Sequence, residues 1–376
     1  MLNLKSLKTV TAPSNENPNP RYTLLYGNTG IGKTPIVASH ELPPEGGVDT
    51  LPMVLEKIGW GKDSLLHIDL EKPSGSSFIT SNSMIVQTKE AFLQFIQEYQ
   101  EMLFERWLIK GVEKGMIFIK KDGKEVPLKF TEGKLTKENI NEKLGMKALA
   151  GKDDATRIYI TNQVERVRTT LTLEEQLEVY PFMVGVVDIY TILLDWCEFF
   201  TTDEYKKTTI GKNFKGENLV KESDSLGKWK FWRDTVMYWT FDRLGLLFPH
   251  LVLVCHTRDK LINKDGAEVY DSEDAAWSLQ DINITGKLAS MIASRCDTVG
   301  YMYKVKDNPT IQMSFNRVEE HATSKAKPNH MWGLKGGMDF DWNKIFVTPE
   351  TAQAMIEEVK QAQLSKKQKD KEPVKK

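Results

Sequence analysis

The octet Gly27-Asn28-Thr29-Gly30-Ile31-Gly32-Lys33-Thr34 constrains this chain more than any other segment, because it reproduces the spacing G-x-x-x-x-G-K-[ST] directly after the apolar run Tyr22 to Tyr26. Glycines at 27, 30 and 32 let the backbone curl so that successive N–H groups face an anion, while Lys33 reaches β- and γ-phosphates and the Thr34 hydroxyl can hold Mg²⁺. The expected ligand is a nucleoside triphosphate, ATP with Mg²⁺. A chance glycine turn before a helix is the competing reading. The strand-like run upstream and the helix-compatible Ile36-Val37-Ala38 downstream weigh against it. Pro35 is compatible with a helix start, since first-turn N–H groups have no intrahelical acceptor.

At 376 residues, 40% hydrophobic and 27% charged, the chain can bury a large core, as about two domains or one α/β domain with long insertions. No apolar run approaches the roughly 18 residues of a membrane span, and Met1-Leu-Asn-Leu-Lys-Ser-Leu-Lys has no signal-peptide core, so a cytoplasmic protein without a membrane partner is expected. Cys197, Cys255 and Cys296 stand apart in apolar surroundings and read as buried thiols rather than a disulfide framework or zinc site. With net charge −1, any nucleic-acid contact must come from a local patch.

Residues 1–20 read as a flexible lead. A strand is expected at Ser64–Leu70, then a turn cluster at Pro73–Ser77, then a helix capped by Thr88 whose apolar face is Phe92, Phe95, Ile96, Tyr99, Met102 and Leu103. From about 108 to 165 the character changes to an insertion, with Asp122-Gly123 as a hairpin turn. Thr172-x-x-Glu175 is a capping box, and Phe182–Asp188 and His250–Cys255 are buried strands. Asp297–Tyr303 and Ile311–Phe315 suggest an edge hairpin; a last helix runs from Thr348-Pro349-Glu350 to about Gln363, leaving Ser365–Lys376 as a lysine-rich tail too polar to fold. The domain proper is 21–345, with 346–376 as C-terminal helix and disordered tail. Strand and helix alternate in the order of a mostly parallel sheet with helices on both faces.

A phosphate loop also needs a carboxylate at a strand end to order the Mg²⁺ shell, and Asp188 closes the clearest apolar strand. Ile189 follows it, so the base must lie elsewhere. Asp69 and Glu71 end the strand after the loop; alternation puts both on one face, and Glu71 is the expected general base, against a solvated acid at a loop start. His256 emerges at the carboxyl end of a buried strand, as a γ-phosphate sensor or as a satisfied strand-end histidine.

These residues resemble RecA-type recombinase ATPases, closest to the compact phage and prophage branch of AAA-domain NTP-binding proteins that act with single-strand annealing proteins. The likeness rests on Gly27–Thr34, Ile68-Asp69-Leu70-Glu71, Val186-Val187-Asp188, the strand ending in His256, Ile284-Thr-Gly286-Lys287 and Asp297-x-Val-Gly300, across about 22–345. It implies a RecA-like P-loop NTPase core, ATP hydrolysis with Lys33, Glu71 and His256 as catalytic residues, Mg²⁺ held through Thr34 and Asp188, single-stranded DNA as partner in recombination, repair or replication, a homo-oligomer, and a bacterial host cytoplasm if phage-encoded. The chain departs from the compact pattern through the 108–165 insertion and the polar stretch 201–233.

That stretch is the nucleic-acid candidate. Between Tyr205 and Arg233 eight Lys/Arg face three Asp/Glu, interleaved with Tyr205, Phe214, Trp229, Phe231 and Trp232, and Lys228, Trp229 and Lys230 are the expected contacts. The plainer alternative is a solvated loop followed by a helix burying Trp232 and Val236. Residues 264–278 correspond in position to a DNA-binding loop of RecA-type proteins but are acidic. Two other readings stay open: a P-loop kinase, although no arginine-rich lid is found, and an assembly protein gated by nucleotide, in which Arg317, Lys325 and Lys327 are either trans contacts to phosphates or surface charges.

Overall fold

The computed structural model describes residues 17–41, 48–71, 78–121, 123–129, 153–223, 227–265, 268–269, 272–284, 286–305, 310–315, 324–334 and 337–369. The fold is α/β, built on a mixed but mostly parallel sheet. Its strands are β1 (Tyr22–Gly27), β2 (Leu65–Asp69), β3 (Ser83–Ile85), β6 (Val184–Asp188), β7 (His250–Ile262), β10 (Thr298–Lys304), β11 (Ile311–Ser314) and β13 (Met338–Asp339), with β12 (Lys325–Ala326) beside β10; β4 (Phe118–Lys121) and β5 (Lys124–Pro127) form a separate hairpin. The spatial order is β13-β11-β10-β1-β7-β6-β2-β3. The six strands from β10 to β3 are mutually parallel, and β11, β12 and β13 join antiparallel at one side.

Crossover direction fixes the layers. From β1 the chain passes through α1 (Lys33–Ala38) and α2 (Leu51–Lys57) to β2, moving one way across the sheet. It returns through α3 (Lys89–Glu113), α4 (Asp154–Thr169) and α5 (Leu173–Val179) to β6, and through α6 (Tyr190–Lys207), α7 (Leu219–Glu222) and α8 (Lys228–Met237) to β7. Right-handed crossovers in opposite directions require opposite faces. The packing agrees: Phe92 of α3 meets Trp196 and Phe200 of α6 and Trp239 beyond α8, whereas Trp342 donates its Nε1–H to the Ile36 carbonyl of α1 at 3.0 Å and Phe346 meets Trp60 after α2. β1, β2 and β6 are apolar runs buried almost throughout, as a sheet covered on both faces demands.

Local signals account for the helix starts. The Thr88 side chain accepts from Ala91 N, and the Thr172–Glu175 box makes both of its reciprocal bonds. On α3 the face Phe92, Phe95, Ile96, Tyr99 and Leu103 is buried, and it continues through Trp107, Leu108 and Val112, with Met102 packed at its margin. Residues 108–113, assigned from sequence to the insertion, are therefore the last turns of this core helix, and Ile160, Val164 and Val167 of α4 are buried too. Gly123 takes φ +76° between β4 and β5, as the hairpin reading requires, while Asp122, Pro73–Ser77 and all of 130–152 lie outside the described residues.

Two boundaries differ from expectation. β7 does not stop at Cys255 but runs to Ile262, because residues 257–262, the first four of them polar, pair antiparallel with β9 (Trp277–Ile282) and, at the end, with β8 (Glu268–Val269). The last helix, α10 (Pro349–Lys369), passes Gln363 and takes in part of the supposed tail. Lysine and glutamine are good helix formers, and extending a helix already nucleated costs little, so polarity alone does not end it. Residues 370–376 lie outside the described residues. No helix among those described is long and apolar enough to cross a membrane.

Candidate functional site

The register brings the sequence-predicted residues to one edge. Gly27 is level with His256 within the adjacent β7, and Asp188 pairs with Val254 on one side and Asp69 on the other, so the carboxyl ends of β1, β6 and β2 and the level of β7 beside them carry the loop, Asp188, Asp69 and His256 at one edge. Ligands of open α/β sheets bind at this end.

Within the loop, Gly30 and Gly32 take φ +76° and +95°, a left-handed region that suits glycine. Gly27 is required for another reason: a Cβ there would lie 2.7 Å from the Met302 carbonyl oxygen of β10. α1 starts at Lys33 with Pro35 in its first turn. The Lys33 ammonium is folded back into the loop, donating to the Gly27 and Asn28 carbonyls at 2.9 and 2.8 Å and lying 3.3 Å from His256 Nδ1. Burial lowers its pKa, opposed by Asp188, Cys255 and Glu71. Because an ammonium only donates, His256 Nδ1 is the acceptor here, and Thr29 Oγ1 reaches the same nitrogen at 3.3 Å. Burial, then Lys33, hold the His256 pKa below its ordinary value. One residue further, the Thr257 hydroxyl donates to Asn28 Oδ1, so β7 grips the loop at three of its residues.

Thr34 Oγ1 donates to Asp188 Oδ2 at 2.5 Å, joining positions 154 residues apart. Asp188 is 2% exposed, and its Oδ1 is buried without a hydrogen-bond partner among the described residues. A hydroxyl against a carboxylate with a vacant lone pair suits a Mg²⁺ shell, which takes oxygen ligands and keeps several waters. No group of three or more His, Cys, Asp or Glu that could hold a metal is found among the described residues. A Mg²⁺ carried in with phosphates needs fewer protein ligands than that.

β2 ends at Asp69, whose buried carboxylate accepts the Glu71 N–H at 3.0 Å in a side-chain turn, while the Leu70 N–H still pairs with the Asp188 carbonyl. Glu71 is half-buried beyond that turn and still belongs to the same electrostatic group. Its pKa is raised by burial, then by Asp188 and Asp69, and lowered by Lys33.

The basic-aromatic stretch divides. Trp232 is buried with its Nε1–H on the Leu194 carbonyl at 3.4 Å and Val236 is buried, while Tyr205 packs edge-on against Phe214 and against Phe231, which stays exposed. Trp229 is 43% exposed with the Lys228 ammonium 5.4 Å from its ring, and Lys230 is exposed beside it. Lys325 and Lys327 cap the helix α9 (Lys287–Arg295), donating to the Ala293 and Ser294 carbonyls, and Lys327 also pairs with Asp297. Arg317 and Thr285 lie outside the described residues. Sequence reasoning missed His67 and Thr257; a histidine inside the otherwise apolar run Leu65–Leu70 was the available signal for the first.

No protein-family model matches this chain, and no curated protein matches it at a significant level.

Proposed function

We propose that this protein is a Mg²⁺-dependent P-loop ATPase with a RecA-like core that acts on single-stranded DNA in phage-type recombination, repair or replication. The observation that carries the nucleotide reading is the contact between Thr34 Oγ1 and Asp188 Oδ2, because it joins the loop to the one strand-end carboxylate singled out independently for the metal. The glycine conformations and the neighbouring Lys33 supply the rest of a triphosphate cradle. The DNA part rests on the resemblance and on the exposed Lys228-Trp229-Lys230 surface.

In this reading the loop N–H groups and Lys33 bind the β- and γ-phosphates, Lys33 exchanging its carbonyl partners for phosphate oxygens. Thr34 and Asp188 would hold the Mg²⁺, which would neutralise charge on the phosphates when bound. Glu71, as carboxylate, takes a proton from the attacking water as its oxygen bonds to the γ-phosphorus and the bond to the β–γ bridging oxygen breaks, leaving ADP and phosphate. His256, an acceptor toward Lys33 in the free loop, sits where a change in the Lys33 partners is felt first. The test is ATP turnover with and without single-stranded DNA, with Lys33→Ala as control. DNA-stimulated turnover that disappears in the variant supports the reading; turnover unaffected by Lys33→Ala overturns it.

A further inference from the structure

A buried polar chain reaches the same Asp188 oxygen that Thr34 contacts. His67 lies in the middle of β2, fully buried, level with Val186 of β6 and Ser83 of β3. Its Nδ1 is 2.9 Å from Ser83 Oγ, and Ser83 Oγ in turn meets Ser81 Oγ. Its Nε2 stands 3.5 Å from Asp188 Oδ2, completes no hydrogen bond there, and has no other hydrogen-bond partner among the described residues.

Packing alone does not account for this residue. Leu65, Leu66, Ile68 and Leu70 around it are apolar, and an imidazole with an unpaired nitrogen is costly where a leucine would fill the same strand position. The carboxylate sets the tautomer: it only accepts, so the ring proton belongs on the Nε2 that faces it, and Nδ1 is left to accept from the Ser83 hydroxyl. Asp188 Oδ2 then accepts from Thr34 and faces the His67 Nε2–H at 3.5 Å, while Oδ1 has no hydrogen-bond partner among the described residues.

Resting on the nucleotide reading above, we propose that His67 is a positioning residue for the metal-ordering carboxylate. Its Nε2–H pins Oδ2, fixing the carboxylate plane so that Oδ1 remains the free acceptor for the Mg²⁺ shell, and the 3.5 Å approach closes when Mg²⁺ and nucleotide bind, as catalytic hydrogen bonds commonly tighten on loading.

The test compares His67→Leu, His67→Gln and Ser83→Ala with the wild type, measuring ATP affinity as a function of Mg²⁺ concentration by calorimetry, with the thermal midpoint as control. Leucine fills the space without a donor, and glutamine restores an N–H near the Nε2 position. We expect His67→Leu to need about 10-fold more Mg²⁺ for the same ATP affinity while Mg²⁺-free affinity is unchanged. His67→Gln should recover most of that loss, and Ser83→Ala should shift the Mg²⁺ requirement in the same direction by less. A lowered thermal midpoint with an unchanged Mg²⁺ requirement in His67→Leu overturns the proposal and leaves a packing role. If that variant does not fold, Ser83→Ala decides: no shift overturns it. A wild type that binds ATP without any Mg²⁺ dependence removes the nucleotide reading and this proposal together, whereas failure in the variants alone removes only the proposal.

Discussion

Lys33 carries its ammonium into a nearly buried position where two main-chain carbonyls and the His256 nitrogen receive it, so the charge is held at the loop before any ligand arrives. Replacing it with alanine removes the one mobile cation of the cradle but no core side chain. ATP affinity should fall below detection in calorimetry while the circular-dichroism spectrum is retained. Glu71 makes a different prediction. Its folded pKa is raised by burial, then by Asp188 and Asp69, and a general base works only when ionised, so the acid limb of turnover should lie above the ordinary carboxylate value and activity should rise with pH through it. Glu71→Gln should keep ATP affinity, lower turnover by about 10²-fold and abolish that limb. A limb that survives in Glu71→Gln and vanishes in Asp69→Asn would transfer the base to Asp69.

Among the elements, the start of β7 is where a titratable group holds several parts together. His250 is buried, with Nδ1 2.8 Å from the Pro20 carbonyl and Nε2 3.1 Å from Asn17 Nδ2, and its ring is stacked on Trp60 and edge-on to Phe346. A carbonyl only accepts, so Nδ1 carries the proton and Nε2 accepts: the neutral ring is satisfied on both sides. Burial lowers its pKa from 6.5 to about 4, with Arg21 adding to the effect and the Pro20 carbonyl and Asp297 opposing it. The unfolded chain therefore binds this proton first, and stability present above the unfolded pKa is lost as pH falls through 6.5 toward 4. The loss between pH 7.5 and 5 should be about 2 kcal/mol in urea unfolding. His250→Gln should be less stable at pH 7.5 but show a correspondingly flatter pH dependence; an equal slope in both proteins would mean that other groups govern acid sensitivity. The strand beginning at His250 was legible in sequence because five consecutive apolar residues follow it. Its continuation to Ile262 was not, since Thr257–Lys260 are polar and become strand only by pairing with β9. The same contrast divides the site. The loop and Asp188 are local patterns, whereas His67 and Thr257 matter through contacts that span the sheet and Glu71 through a side-chain bond just past the strand end, and neither spacing nor periodicity encodes those.

At the scale of the whole molecule, a net charge of −1 excludes binding to nucleic acid through a uniformly basic surface, so affinity has to be concentrated in a patch. The fold narrows that patch. Of the aromatic residues in 205–233, Trp232 is committed to the core and Tyr205 packs against Phe214 and Phe231, and Trp229, the more exposed of the two exposed rings, stands with Lys228 and Lys230 as a stacking face flanked by charge. If this face holds single-stranded DNA, affinity should fall steeply with salt, each neutralised phosphate contributing a log–log slope of roughly −0.7. Changing Lys228 and Lys230 together to alanine should flatten the slope by about one to two units. Trp229→Ala should cost about 1–3 kcal/mol of binding with little change in slope, because stacking releases few ions. Trp232→Ala serves as the contrast, lowering the thermal midpoint through the cavity it leaves and the lost bond to Leu194 before any effect specific to DNA. Fluorescence anisotropy with a labelled oligonucleotide across a salt series separates these outcomes. Binding undiminished after all three surface residues are changed would move the contact to another face. If DNA binding is lost in the triple variant while basal ATP turnover persists, the two activities occupy separate surfaces, and the DNA-stimulated part of turnover should disappear with the binding.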